Sequence, residues 1–273
     1  MFLRLAVLFL CLILPPAALA QAPVDSALRQ LGGDDIGRGW QAVGRLNIQG
    51  RGFCTGTLIA PDRVLTAAHC LFDPQTGARI DVREVEFLAG WRIGHAAAIR
   101  GIRRAAIEPS FRMAGDRTLE RIASDLAVLQ LDQPIHDAGL LPFGIAPLPP
   151  APGAAIAVVS YARGREGAAS LQDRCAVLDQ LREGVVVMSC AIDFGASGAP
   201  VFALQGGVPR IVSVISAMTE AEGRSLALGM RLDNRIGALM AELDIPQEPV
   251  QRVRPGLAGG ETGARGTARF VRP

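Results

Sequence analysis

The 273-residue sequence contains no lysine: all 28 basic residues are arginine. Against them stand 26 acidic residues, for a formal net charge of +2. With a balance that close, nothing calls for a nucleic-acid partner. Histidine is scarce, with only His69, His95 and His136. No C-x-x-C or H-x-x-x-H spacing occurs, so nothing points to a bound metal, and no motif calls for a cofactor. Beyond the first twenty residues no apolar run is long enough to span a bilayer.

The first twenty residues are a different matter. Arg4 precedes ten uninterrupted apolar residues, Leu5 to Leu14, and Ala18-Leu19-Ala20 supplies a small-x-small cleavage site. Residues 1–20 read as a secretory signal peptide, and the mature chain as exported to the periplasm or the extracellular space. Cys11 would leave with that peptide. Cys54, Cys70, Cys175 and Cys190 remain. An even number of cysteines in an oxidising compartment implies two bridges, with three pairings open. Pairing each cysteine with its nearer neighbour is the simplest of the three.

Much of the body reads as strand. "RVLTAAH", "EVEFLAG", "DLAVLQL", "AAIAVVSYA", "EGVVVMSC" and "RIVSVISAM" are short apolar or alternating runs, punctuated by Gly, Pro, Asp and Asn. Many short strands with turn signals predict an all-β barrel or sandwich. The proline-rich stretch 140–153 cannot join a central strand. It divides the body into halves, 39–139 and 154–245, each holding one cysteine pair. Residues 21–38 are a leader or an N-terminal arm. Leu232, Ile236, Leu239, Met240 and Leu243 fall at helical spacing, with Asp233 or Asn234 placed to cap the start. Residues 246–273 carry five arginines, two glutamates and few bulky apolar side chains. That composition predicts a disordered, solvated basic tail; an anchor to an acidic surface is the sharper alternative.

Two short segments carry the chemistry. "TAAHC" places His69 after an apolar run, and "FGASGAP" sets Ser197 between glycines. A serine becomes a useful nucleophile only beside a base that a third group orients. All three histidines precede Ser197, which excludes the α/β-hydrolase order, and Ala199 breaks the G-x-S-x-G pattern. The surviving order is base, acid, nucleophile. Asp125, at the mouth of "SDLAVLQL", fills the middle place.

"CTGTLIAPDRVLTAAHC", "SDLAVLQLDQPI" and "FGASGAPV" resemble the three active-site segments of the trypsin-like (chymotrypsin-fold) serine peptidases. The match is nearest to the secreted bacterial branch that includes glutamyl endopeptidases, and it covers roughly residues 40–243. The resemblance implies two packed six-stranded antiparallel β-barrels with a C-terminal helix. His69 and Asp125 would come from the first barrel and Ser197 from the second. It implies a Cys54–Cys70 bridge beside the histidine and a Cys175–Cys190 bridge in the second barrel. It also implies an oxyanion hole made by the backbone N–H groups of Gly195 and Ser197. The expected activity is a monomeric secreted serine endopeptidase acting on protein or peptide substrates through an acyl-enzyme. The alternative is a trypsin-fold binding module with little or no turnover.

Several positions depart from that pattern. Ala196 stands where trypsin has the aspartate that pairs with its activated N-terminus. Ala191 stands where trypsin's pocket floor is acidic. Glutamyl endopeptidases read a carboxylate with a histidine on the strand after the serine, and "SVISAM" has none. Ser216 matches the start of the substrate-pairing segment, with Ala217 and Met218 in place of Trp-Gly. These substitutions predict a pocket for small or medium apolar side chains. Asp193, four residues before Ser197, is the residue that would instead restore a basic preference.

Overall fold

The computed structural model describes residues 27–32, 38–116, 118–221 and 223–246. The expected signal peptide and the tail beyond Pro246 lie outside the described residues. Among those described, no helix is long and apolar enough to cross a membrane.

The first half forms one closed antiparallel barrel. Its strands are β2 (Val43–Ile48), β3 (Gly52–Ala60), β4 (Arg63–Thr66), β5 (Val85–Ala89), β6 (Ala98–Ile107) and β7 (Ala127–Leu131). They close in the order β2-β3-β4-β7-β6-β5. The second half contributes β8 (Ala155–Ser160), β9 (Ser170–Gln180), β10 (Val185–Met188), β11 (Pro200–Gln205), β12 (Val208–Ala221) and β13 (Arg224–Arg231). These run β9-β10-β13-β12-β11-β8, and pairing of β8 with β9 closes the ring. The two six-stranded barrels are those the resemblance implies. A two-residue strand, β1 (Arg29–Gln30), adds to the edge of β9, and Leu31 behind it is buried. Arg29 and Gln30 are thus paired to the second barrel.

Strand alternation explains why some runs look continuously apolar. In β7, Ala127, Leu129 and Leu131 face the core of the first barrel, while Val128 joins a second cluster with Leu126. That second cluster also takes Leu65 from β4 and Val159, Phe202 and Val214 from the second barrel. A strand between two cores loses its polar face, so "LAVL" within "DLAVLQL" reads as a continuous hydrophobic run. The barrels thus share a dry seam, and the ends of their strands are fixed relative to one another.

Both disulfides follow the near-neighbour pairing: Cys54–Cys70 and Cys175–Cys190, with Cα separations of 6.2 and 5.1 Å. Each closes a loop of about 15 residues, worth about 3 kcal/mol in the chain-entropy account. The proline-rich crossing runs between β7 and β8. Phe143 within it packs against Phe202 at 4.6 Å and Trp40 at 5.7 Å between ring centroids, which pins the connection to both halves. The five-residue helix α1 (Leu119–Ala123) precedes β7. The C-terminal helix α2 (Arg235–Asp244) buries Ile236, Leu239 and Leu243 in the seam. Asp233 accepts the Arg235 N–H at 3.0 Å, whereas Asn234 makes no side-chain cap.

Candidate active site

The geometry of the candidate site begins with β4. Its last residue, Thr66, leads through the fully buried Ala67 and Ala68 into a single 3-10 turn, Ala68–Leu71, that carries His69. Cys70 on the same turn is bridged to Cys54 on β3, so the turn is covalently tied to the neighbouring strand. Asp125 arrives from α1. Thr118 caps that helix by accepting the Arg121 N–H, and Ser124 ends it by donating to the Glu120 carbonyl at 2.8 Å. The chain then turns at Asp125 into β7, with the Asp125 N–H donating to the Ile122 carbonyl.

His69 and Asp125 meet twice. The ring Nδ1 lies 2.6 Å from Asp125 Oδ2, and the His69 backbone N–H donates to Oδ1 at 2.7 Å. The Ser216 hydroxyl, from the second barrel, also donates to Oδ2. Asp125 is only 3 % exposed. Burial alone would push its carboxyl up. The His69 ring beside it, the hydrogen bonds from that ring and from Ser216, and the His69 N–H outweigh burial and hold it below the usual carboxylate value. A carboxylate accepting from the ring fixes the proton on Nδ1 and leaves Nε2 as the basic nitrogen.

Ser197 stands on the loop between β10 and β11, and Thr55 of β3 fastens that loop to the first barrel. The Thr55 N–H donates to the Ser197 carbonyl and its hydroxyl donates to the Gly195 carbonyl, both at 2.8 Å. The same hydroxyl accepts the Tyr161 N–H at 3.0 Å. Gly195 adopts φ +97° and Gly198 φ +79°, the left-handed region that favours glycine. A Cβ at Gly195 would run into the Phe53 ring, and one at Gly198 into Thr66 Oγ1 and the Thr55 carbonyl. Among the described residues, the N–H groups of Gly195 and Ser197 donate to no other protein group, while their neighbours Ala196 and Gly198 donate to Asp193 and Ile215 carbonyls. The sequence pattern "GASG" thus alternates spent and free donors.

His69, Asp125 and Ser197 line one cavity of about 230 Å³. No hydrogen bond joins Ser197 Oγ to the imidazole among the described residues; such contacts are often long in free enzymes and tighten on bound substrate. Ser216 and Met218 line the same cavity. Ala191 does not: it is exposed and its N–H donates to the Gln172 side chain at 2.8 Å. Ile192, Ile215 and Ala217 supply the apolar wall instead. Asp193 reaches the cavity, but its carboxylate accepts the Phe194 N–H at 2.6 Å and lies 3.4 Å from Arg163. Ala196 is fully buried. Thr55 and Arg121 were not singled out by the sequence. Thr55 lies inside a recognisable segment, yet nothing in a strand residue announces a cross-barrel hydroxyl.

One group of metal-capable atoms occurs here. Side-chain atoms of Cys54, His69 and Cys70 fall within 4.8 Å of one another. The two sulfurs are bonded to each other, and a disulfide offers no thiolate to an ion.

Residues 54–208 match the trypsin-like peptidase domain. Among solved structures, a Glu endopeptidase in complex with MPD superposes with a TM-score of 0.65 at 16 % identity, covering 81 % of this chain and 98 % of that one. At that identity the superposition speaks for the shared fold. The domain match spans more than half of the sequence and contains His69, Asp125 and Ser197. The chain belongs to the trypsin-like peptidase family.

Proposed function

We propose that this protein is an exported serine endopeptidase in which His69, Asp125 and Ser197 act as base, orienting acid and nucleophile. The observation that carries the reading is the doubly bonded Asp125–His69 pair on the same cavity as Ser197. Ser197 Oγ attacks the scissile carbonyl while His69 Nε2 takes its proton. The oxygen that becomes negative is received by the free N–H groups of Gly195 and Ser197, each worth about 3 kcal/mol at the transition state. His69 then returns the proton to the leaving amine, and the acyl group stays on Ser197. Water, activated by the same nitrogen, releases it. Asp125 stabilises the imidazolium at both steps and keeps its own charge.

The apolar wall of Ile192, Ile215, Ala217 and Met218 supports cleavage after small or medium apolar residues. Asp193 is already compensated by Arg163 and by its own loop, which weakens it as a partner for an incoming arginine. Purified protein should hydrolyse a peptide library with Ala, Val or Leu before the cut, and Ser197→Ala should abolish hydrolysis. Equal turnover by wild type and Ser197→Ala would end this reading. Binding without turnover by a well-folded wild type would favour a trypsin-fold binding module. Export is tested by sequencing the N-terminus of protein recovered outside the cytoplasm, with cleavage expected after Ala20.

A further inference from the structure

Among the described residues, the catalytic cavity contains a cation with no counter-ion. Arg121, on α1, lines it together with His69, Asp125 and Ser197. Its side chain is partly buried. Its guanidinium donates to the Gly115 carbonyl at 3.2 Å and contacts Met113 Sδ at 3.1 Å, two neutral groups. Among the described residues no carboxylate forms an ion pair with it. The other charges on the cavity are accounted for. Asp125 is engaged by His69 and Ser216, and Asp193 by Arg163 and the Phe194 N–H. A guanidinium in a concave, partly apolar wall is screened less than one on open surface, and its planar donors suit a carboxylate.

We infer that Arg121 is a specificity residue that receives a substrate carboxylate, from Asp or Glu, within the three residues preceding the one whose carbonyl is attacked. This rests on the peptidase reading for its place in the reaction. Three placements set the position. The apolar pocket beside Ser197 is built from second-barrel residues Ile192, Ala217 and Met218. Arg121 comes from the first half of the chain, one helical turn before Asp125, on α1, whose Ile122 and Ala123 pack with Ala217 and Leu228 of the second barrel. Its guanidinium therefore stands on the wall where the two barrels meet. Met113, which the guanidinium contacts, also lines the cavity and holds the side chain against that wall. An acidic residue in the substrate would meet Arg121 without entering the pocket that takes the scissile residue. The two preferences are independent: apolar at the cut, acidic just before it.

The test uses short fluorogenic peptides sharing one apolar residue at the cut, with Glu or Gln walked through the three preceding positions. Binding is measured by anisotropy on the full-length Ser197→Ala protein, and kcat/KM on wild type. Glu should beat Gln at one of those positions by about tenfold in both measurements, the smaller end of a charge-assisted hydrogen bond. The ratio should fall as salt is raised. Arg121→Gln should bring it near one, and Arg121→Glu should invert it; a purely structural loss would affect both peptides alike and leave the ratio intact. Equal binding and equal cleavage of the Glu and Gln peptides by wild type overturns the inference and leaves the peptidase standing. Tighter binding of the Glu peptide by Ser197→Ala with no cleavage by wild type upholds the carboxylate site and removes the peptidase reading.

Discussion

Thr55→Val removes one oxygen and keeps the shape of the side chain. Thr55 is fully buried, and its hydroxyl joins two loops of the second barrel by donating to the Gly195 carbonyl and accepting from the Tyr161 N–H. Valine leaves both groups without that partner. Tyr161 is 1 % exposed, so its N–H has no access to water; an orphaned buried donor costs about 1–3 kcal/mol. The Gly195 carbonyl is only partly buried and loses about 1 kcal/mol. The expected loss is therefore about 2–4 kcal/mol, within the 5–15 kcal/mol of a typical domain, so the variant should still fold. Its second effect is local. The Gly195 loop retains the backbone bond from Thr55 to the Ser197 carbonyl but not the side-chain bond, and its free N–H groups lose alignment. A displacement of well under 1 Å at such donors costs roughly tenfold in rate. Urea unfolding measures the first effect, and the rate of labelling by a serine-directed fluorophosphonate measures the second. A variant within 0.5 kcal/mol of wild type that labels at the wild-type rate would refute the view that Thr55 fastens the nucleophile loop.

Gly198→Ala places a Cβ against Thr66 Oγ1 and the Thr55 carbonyl at φ +79°, so it should lower the urea midpoint and labelling rate more than Thr55→Val; an unchanged midpoint contradicts the close approach. Replacing Cys54 and Cys70 together with alanine should cost about 3 kcal/mol in urea unfolding, and a loss below 1 kcal/mol would show that the turn carrying His69 is held by packing alone. Asp125 has a folded value below its unfolded value of about 3.9, so its contribution to stability is complete above that value and is lost as pH falls through the folded one. The stability difference between wild type and Asp125→Asn should shift against wild type as pH is lowered from 5; a shift in its favour over that range would contradict the sign.

Several of the strands legible in the sequence lie between two cores. "DLAVLQL" and "RIVSVISAM" correspond to β7 and β12, each facing a barrel core on one side and the seam on the other. β6 was hidden because "AIRGIRRAAI" carries three arginines on a strand that is mostly half-exposed, and β9 because its exposed positions interrupt the pattern. α1 has five residues, too few for a periodic signal, yet it places both Asp125 and Arg121. In the site, the sequence singles out His69, Asp125, Ser197 and Gly195 because their segments are short and contiguous, and the structure brings the first three to one cavity. The pocket was not. Its wall is assembled from Ile192, Ile215, Ala217 and Met218, which meet only through the β11–β12 pairing and the loop before Ser197. The expected floor, Ala191, points to Gln172 instead, a difference set by one backbone bond.

Covalent labelling of Ser197 tests the central claim most directly. The full-length protein is treated with a fluorophosphonate and the modified peptide is located by mass spectrometry. The label should sit on Ser197 alone, disappear in Ser197→Ala, and form at least a thousandfold more slowly in His69→Ala and Asp125→Asn. Folded wild-type protein that takes no label, or takes it on another serine, would contradict the account.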